Sequence, residues 1–251
     1  MAAVKQSSGI VETIKTIVYA GVIAILIRTI AYEPFNIPSA SMVPTLLVGD
    51  YLFVSKFSYG YSHFSLPFSP PIFSGRIFAN LPKRGDVVVF KLPRDGKTDY
   101  IKRLIGLPGD RIQMIGGILH INGEPVTRTR IADFIDRLPN GSVMAFPQYD
   151  EQLPGGKTHH IIEQLGDQGP LDNTGVFVVP PGYYFFMGDN RDNSLDSRVP
   201  AEMQGVGFVP FENLIGRADF LFFSTDGSAG LLEFWKWPFA IRYGRLFQAI
   251  K

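Results

Sequence analysis

The stretch from Thr13 to Tyr32 restricts what this chain of 251 residues can become more than any other segment does. Within it, Ile17 to Ile27 reads Ile-Val-Tyr-Ala-Gly-Val-Ile-Ala-Ile-Leu-Ile, with no charge. The span has the length, about 20 residues, needed to cross the hydrocarbon core of a bilayer. Apolar side chains cover every face of the helix it would form, so one buried stripe in a soluble core does not account for it. Lys15 and Arg28 stand near its two ends, where long cations reach water. A cleaved secretory signal is the competing reading. However, Thr29-Ile30-Ala31 is a poor cleavage site, and Arg28 interrupts the approach to it. An uncleaved anchor over 13–32 fits better. Lys5 and Lys15 predict that residues 1–12 form a cytoplasmic tail and that the bulk of the chain lies outside.

Composition narrows the partners. A net charge of +1 offers no electrostatic reason to expect nucleic acid. The absence of cysteine excludes disulfides, thiol nucleophiles and thiolate metal sites.

Beyond the anchor the pattern changes to short strands. Pro34, Pro38 and Pro44 keep the chain extended and put Ser41 on a loop. Tyr51 to Val54 reads as a strand, and residues 57–80, rich in Pro, Ser and aromatics, as an extended loop. The aromatics of that loop suit either lipid headgroups or packing over the core. Asp86 to Leu92 and Asp99 to Ile105 form the clearest hairpin, joined through Asp95-Gly96. Ile112 to Asn122 and Glu124 to Val126 suggest another, turning at Asn122-Gly123. Val176 to Val179, Tyr183 to Met187 and Arg217 to Phe223 complete the strands. The tail from Leu231 mixes Trp and Phe with Lys and Arg, which suits an interfacial segment or a packing helix. The expected fold is mainly β: an extracytoplasmic barrel- or sandwich-like body after one transmembrane helix. Its core comprises 33–127 and 176–251, interrupted by a β insert at 128–175.

Two segments carry chemistry. Ile37-Pro-Ser-Ala-Ser-Met-Val-Pro-Thr45 isolates Ser41 between prolines, and Asp99-Tyr-Ile-Lys-Arg103 places Lys102 in an otherwise apolar strand. A serine hydroxyl needs a base to remove its proton. None of the four histidines, His63, His120, His159 and His160, has an aspartate or serine at motif spacing, so they read as incidental. Pro44 excludes a Ser-x-x-Lys motif starting at Ser41. Strand alternation puts Tyr100, Lys102 and Leu104 on one face. An ammonium among such neighbours loses solvation, which depresses its pKa by up to about 3–5 units on full burial. The amine is then neutral near physiological pH and able to act as a base. On spacing alone, a snorkelling lysine and a turn serine remain open.

Taken together, these segments resemble the bacterial type I signal peptidases, endopeptidases with a serine–lysine dyad. The similarity is carried by Tyr32 to Asp50, Arg84 to Lys91, Asp99 to Asp110, Gly188-Asp-Asn-Arg-Asp-Asn-Ser-Leu-Asp-Ser-Arg198, Gly205 to Pro210 and Leu214 to Ala218, in the family's order. It implies Ser41 as nucleophile and Lys102 as general base. Ser39 and the Ser41 backbone N–H would serve the oxyanion, and Ser194 would orient the Lys102 amine. Asp189, Arg191, Asp196 and Arg198 would form a supporting ion-pair network. Phe35, Ile37, Leu46, Leu52, Val89, Tyr100 and Ile101 would line small pockets selecting Ala-x-Ala. The partners implied are signal peptides of exported preproteins and membrane lipid, with no metal or cofactor. The place implied is the inner membrane, with a single span and the catalytic body on its outer, periplasmic face. A conjugation-linked peptidase, a self-cleaving repressor peptidase and a catalytically silent peptide-binding module are the alternatives.

Overall fold

The computed structural model describes residues 9–137, 142–230 and 232–251. Helix α1 (Gly9–Ile30) has 22 residues, a mean hydropathy of 2.0 and no buried position. At about 1.5 Å per residue it is long enough to cross about 30 Å of hydrocarbon. The helix starts before Thr13 because Ile10 and Val11 extend the apolar run, and it stops at Ile30 because the chain enters a sheet at Tyr32. Its exit is tied to the body by Glu33, which lies 2.6 Å from Arg28 and 2.8 Å from Lys56.

The body is mainly β. Its principal sheet contains β1 (Tyr32–Asn36), β2 (Asp50–Ser55), β3 (Val87–Lys91), β4 (Asp99–Gly106), β5 (Tyr183–Met187), β6 (Val209–Pro210) and β7 (Leu214–Ser224). The ladder runs β1-β2-β7-β3-β4-β5-β6, with every pair antiparallel. Alternation along the central strand β3 explains its continuous apolar run. Val87 and Val89 enter a core with Ile37, Leu46, Leu52, Val54 and Leu221. Val88 and Phe90 enter another with Leu104, Phe186, Val206 and Leu214. On β5, Phe185 and Met187 face a third core, shared with Ile112, Met114, Leu119 and Val179.

That third core belongs to a small sheet of Phe177–Val178, Arg111–Ile115, Ile118–Ile121 and Glu124–Pro125. The stretch expected as one strand up to Asn122 is therefore two, because Gly116 and Gly117, at φ of 54° and 71°, make a turn. Asn122-Gly123 makes the turn expected of it. Residues 128–175 build further β structure: Thr127–Arg130, Gln148–Gln152 and Thr158–Ile162 form one sheet, and Phe134–Arg137 pairs with Val143–Phe146. In the tail, only Trp237–Ala240 is α-helical among the described residues. The rings of Phe68, Phe78, Phe239 and Phe247 stand exposed rather than packed over the core.

A buried ion pair joins β4 to the loop after β5. Arg103 Nε and Nη2 donate to the two Asp189 oxygens at 2.8 and 2.7 Å, both residues being buried. Burial alone raises the Asp189 carboxyl, but Arg103 outweighs it and holds the group below its ordinary value. Asp189→Asn leaves Arg103 buried without its counter-charge, which is expected to cost about 3–5 kcal/mol. Denaturant unfolding of the full chain in detergent measures this, and a loss below about 1 kcal/mol would show that Arg103 finds another anion.

Candidate active site

Ser41 lies on a short 3-10 turn (Ala40–Met42) between β1 and β2. The turn is held from several sides. Ile37 N–H donates to Asp50 O at 2.8 Å, and Met42 is fully buried beneath it. From the loop after β5, Asn190 donates its backbone N–H to Ser41 O and its side-chain amide to Ala40 O, each at 3.1 Å. Thr45 Oγ1 adds a bond of 2.5 Å to Asp189.

Lys102 arrives from β4, paired with Val88 in register. Its Nζ lies 2.6 Å from Ser41 Oγ and 3.0 Å from Ile101 O, and 5.4 Å from the centre of the Tyr100 ring. Lys102 is 4% exposed and Ser41 8%. Burial pulls the Lys102 pKa down to about 8, against the smaller opposing pull of Asp196 and Asp189. About half of the amine is then neutral at pH 8, and about a tenth at pH 7. The neutral form can accept the Ser41 proton along the same line on which the ammonium donates. Ser39 Oγ is 3.4 Å from Ser41 Oγ.

The Ser41–Lys102 pair opens into a cleft of about 510 Å³. Phe35, Ile37, Val89, Tyr100 and Ile101 line it, together with Ser39, Ser41 and Lys102. Leu46 and Leu52 do not reach it. Both are fully buried and pack with Ile37 and Val89 in the core behind it. Sequence reasoning missed Asn36, Pro38, Ala40, Asp99, Asn193 and Leu195, which also line the cleft. Asn193 and Leu195 lay within a recognised polar segment, but nothing there distinguished outward from inward side chains.

Ser194 departs from its expected place. Its Oγ is buried but makes no hydrogen bond to Lys102, whose two acceptors are Ser41 Oγ and Ile101 O. The hydroxyl instead lies against Gly188 and influences the Asp196 carboxyl. The four charges grouped by sequence also divide. Asp196 pairs with Arg198 at 2.9 Å, and Arg198 donates to Arg191 O at 2.6 Å. Asp189 takes Arg103, and Arg191 takes Glu151 of the insert at 2.8 and 2.5 Å. His159, read as incidental, is buried between Glu151 and Asp189, 3.4 and 3.8 Å away. Burial, reinforced by Arg103, lowers its pKa to about 3, so it is neutral there.

The model of the signal peptidase, peptidase S26 family matches residues 10–223, a range that includes every site residue named above. Signal peptidase I of Rickettsia typhi is 44% identical over 242 residues, covering 90% of this chain and 88% of its own. That of Rickettsia canadensis is 43% identical over 250 residues, covering 93% and 91%. The chain belongs to the signal peptidase I family. Among solved structures, a signal peptidase I from Enterococcus faecalis is 27% identical, with a TM-score of 0.31, covering 55% of this chain and 97% of that one. As a type I signal peptidase the chain is an enzyme that processes signal peptides, and α1 is compatible with membrane anchoring.

Gly188 shows how tightly the peptidase site is assembled. A Cβ there would fall 2.3 Å from Ser194 Oγ and 2.5 Å from Ser41 O. Gly188→Ala therefore displaces either the Ser41 turn or the 188–198 loop. A misplacement of about 1 Å can cost about 10²-fold in rate, and a fall of that order in kcat/KM for a preprotein is expected. Gly175→Ala, with no atom within 4 Å of its Cβ, serves as control. Wild-type cleavage by Gly188→Ala would contradict the tight assembly.

Proposed function

We propose that this signal peptidase cleaves by a Ser41/Lys102 dyad through an acyl-enzyme, after small residues of the Ala-x-Ala type. The observation that carries the reading is the 2.6 Å contact between two groups each less than a tenth exposed, one of them an amine with pKa about 8. Neutral Lys102 takes the Ser41 proton as Oγ attacks the scissile carbonyl. The oxyanion meets the Ser41 backbone N–H and the Ser39 hydroxyl. The Lys102 ammonium then protonates the departing amine, forming the acyl-enzyme. Lys102, neutral again, deprotonates the water that hydrolyses it. The residues supply nucleophile, base and acid themselves, so the sequence of steps calls on no metal or cofactor.

Substrate is proposed to lie extended beside β4. The β4–β5 ladder covers only Arg103 to Gly106, so the cleft side of Asp99 to Lys102 has no strand partner among the described residues. An added strand can use such an edge. Phe35, Ile37, Val89, Tyr100 and Ile101 crowd the cleft and favour alanine-sized side chains. Leu46 and Leu52 support that wall from behind. We place the chain in the inner membrane as a single-span protein, its active face outside. Exposed Phe68, Phe78, Trp235, Phe239 and Phe247 would rest on lipid near the α1 exit.

Incubating the detergent-solubilised chain with a preprotein tests the reading. Cleavage after Ala-x-Ala is expected, with losses of about 10³-fold or more in Ser41→Ala and Lys102→Met. Because the base must be neutral, kcat/KM should rise about tenfold per pH unit below about 8 and level off above it. Near-normal cleavage by either variant, or a rate independent of pH between about 6 and about 9, would refute the assignment.

A further inference from the structure

The insert and the 188–198 loop meet at three carboxylates outside the catalytic cleft. Glu163, Asp172 and Asp192 each offer one oxygen, and these oxygens lie within 4.8 Å of one another. Glu163 and Asp172 are fully buried, at 0% exposure, yet among the described residues Glu163 Oε2 and Asp172 Oδ1 have no hydrogen-bond donor. Two of the remaining oxygens are served by the backbone: Gly169 N–H donates to Asp172 Oδ2 at 2.6 Å and Leu165 N–H to Asp192 Oδ2 at 2.7 Å.

Among the described residues the neighbouring cations leave Glu163 Oε2 and Asp172 Oδ1 without a bond, although Arg191 Nε and Arg198 Nη1 are themselves unpartnered. Arg128 donates to Glu163 Oε1 only at the long distance of 3.5 Å, through Nη1, while its Nη2 donates to Asp167 at 2.6 Å. Arg191 and Arg198 are close enough to act electrostatically, but they donate to Glu151, to Asp196 and to Arg191 O. Bare carboxylate oxygens removed from water are costly unless something positive neutralises them. Gly169 leaves space where a side chain would intrude, since a Cβ there would fall 2.1 Å from Asp192 Oδ1.

We propose that Glu163, Asp172 and Asp192 bind a hard divalent cation of the calcium class, which pins the insert to the 188–198 loop. The donors are all oxygen, with neither imidazole nor sulfur. Oxygens up to 4.8 Å apart can be spanned by an ion that takes ligands at about 2.3–2.6 Å, as calcium does. Magnesium usually keeps several waters and binds through one or two carboxylates, so a set of three carboxylates favours calcium. Asp192 lies next to Asn193 of the cleft, so the ion's role is positioning and not catalysis.

Calorimetric titration of the chelator-treated full chain in detergent with Ca²⁺ alone tests this, alongside thermal unfolding. One saturable ion per chain is expected, with Kd of about 10⁻⁴–10⁻³ M, and a higher Tm in its presence. Asp172→Asn and the more accessible Asp192→Asn should each weaken binding about tenfold or more and remove the Tm response. No saturable Ca²⁺ binding up to about 10 mM, or unchanged binding in both variants, would overturn the proposal. So would a Glu163→Gln chain of higher Tm beside a wild type indifferent to Ca²⁺, since a proton would then be the neutralising partner. Binding and Tm are read without peptide cleavage, so either outcome leaves the dyad reading standing or falling on its own test.

Discussion

A primary amine kept from water beside a serine hydroxyl is the constraint around which the rest is arranged. Holding the Lys102 pKa near 8 rather than 10.5 means that its charged form costs the fold roughly 3 kcal/mol at neutral pH. Full burial without compensation would push further, by up to about 5 units. Asp196 and Asp189 limit the fall, and each is itself largely neutralised, by Arg198 and Arg103. The amine is thus desolvated enough to lose its proton near physiological pH, yet not so far that it could never carry one to a leaving group.

Strand β4 organises both halves of the Ser41–Lys102 pair through adjacent residues. Lys102 points into the cleft, while Arg103 turns to the other side and grips Asp189. Asp189 in turn holds Thr45, and the next residue, Asn190, holds the Ser41 and Ala40 carbonyls. Lys102 and the turn that presents Ser41 therefore share one strand as their reference. The insert joins the same frame through Glu151, which pairs with Arg191 and lies near His159.

Much of this was legible in the sequence. The β3–β4 hairpin announced itself by two apolar runs and Asp95-Gly96, and α1 by an apolar run with no polar face. Ser41 and Lys102 stood out because proline constrains one and apolar neighbours surround the other. What stayed hidden depended on distant partners. Arg103 meets Asp189 across 86 residues, and Arg191 meets Glu151 across 40, separations that no local pattern encodes. Leu46 and Leu52 look like any apolar pocket residue until the sheet shows which face they occupy. Ser194 was placed by resemblance, and its hydroxyl turns on the local course of a loop, which strand alternation cannot give. Gly116-Gly117 was passed over because an apolar run continues on both sides of it.

Titration of the Lys102 amine by NMR in the isotopically labelled full chain, with Lys102→Met identifying its resonance, addresses the central claim most directly. A midpoint near pH 8 is the result this account requires. A midpoint near the ordinary lysine value of about 10.4 would mean that the amine is solvated, and the proposed dyad would then lack its base.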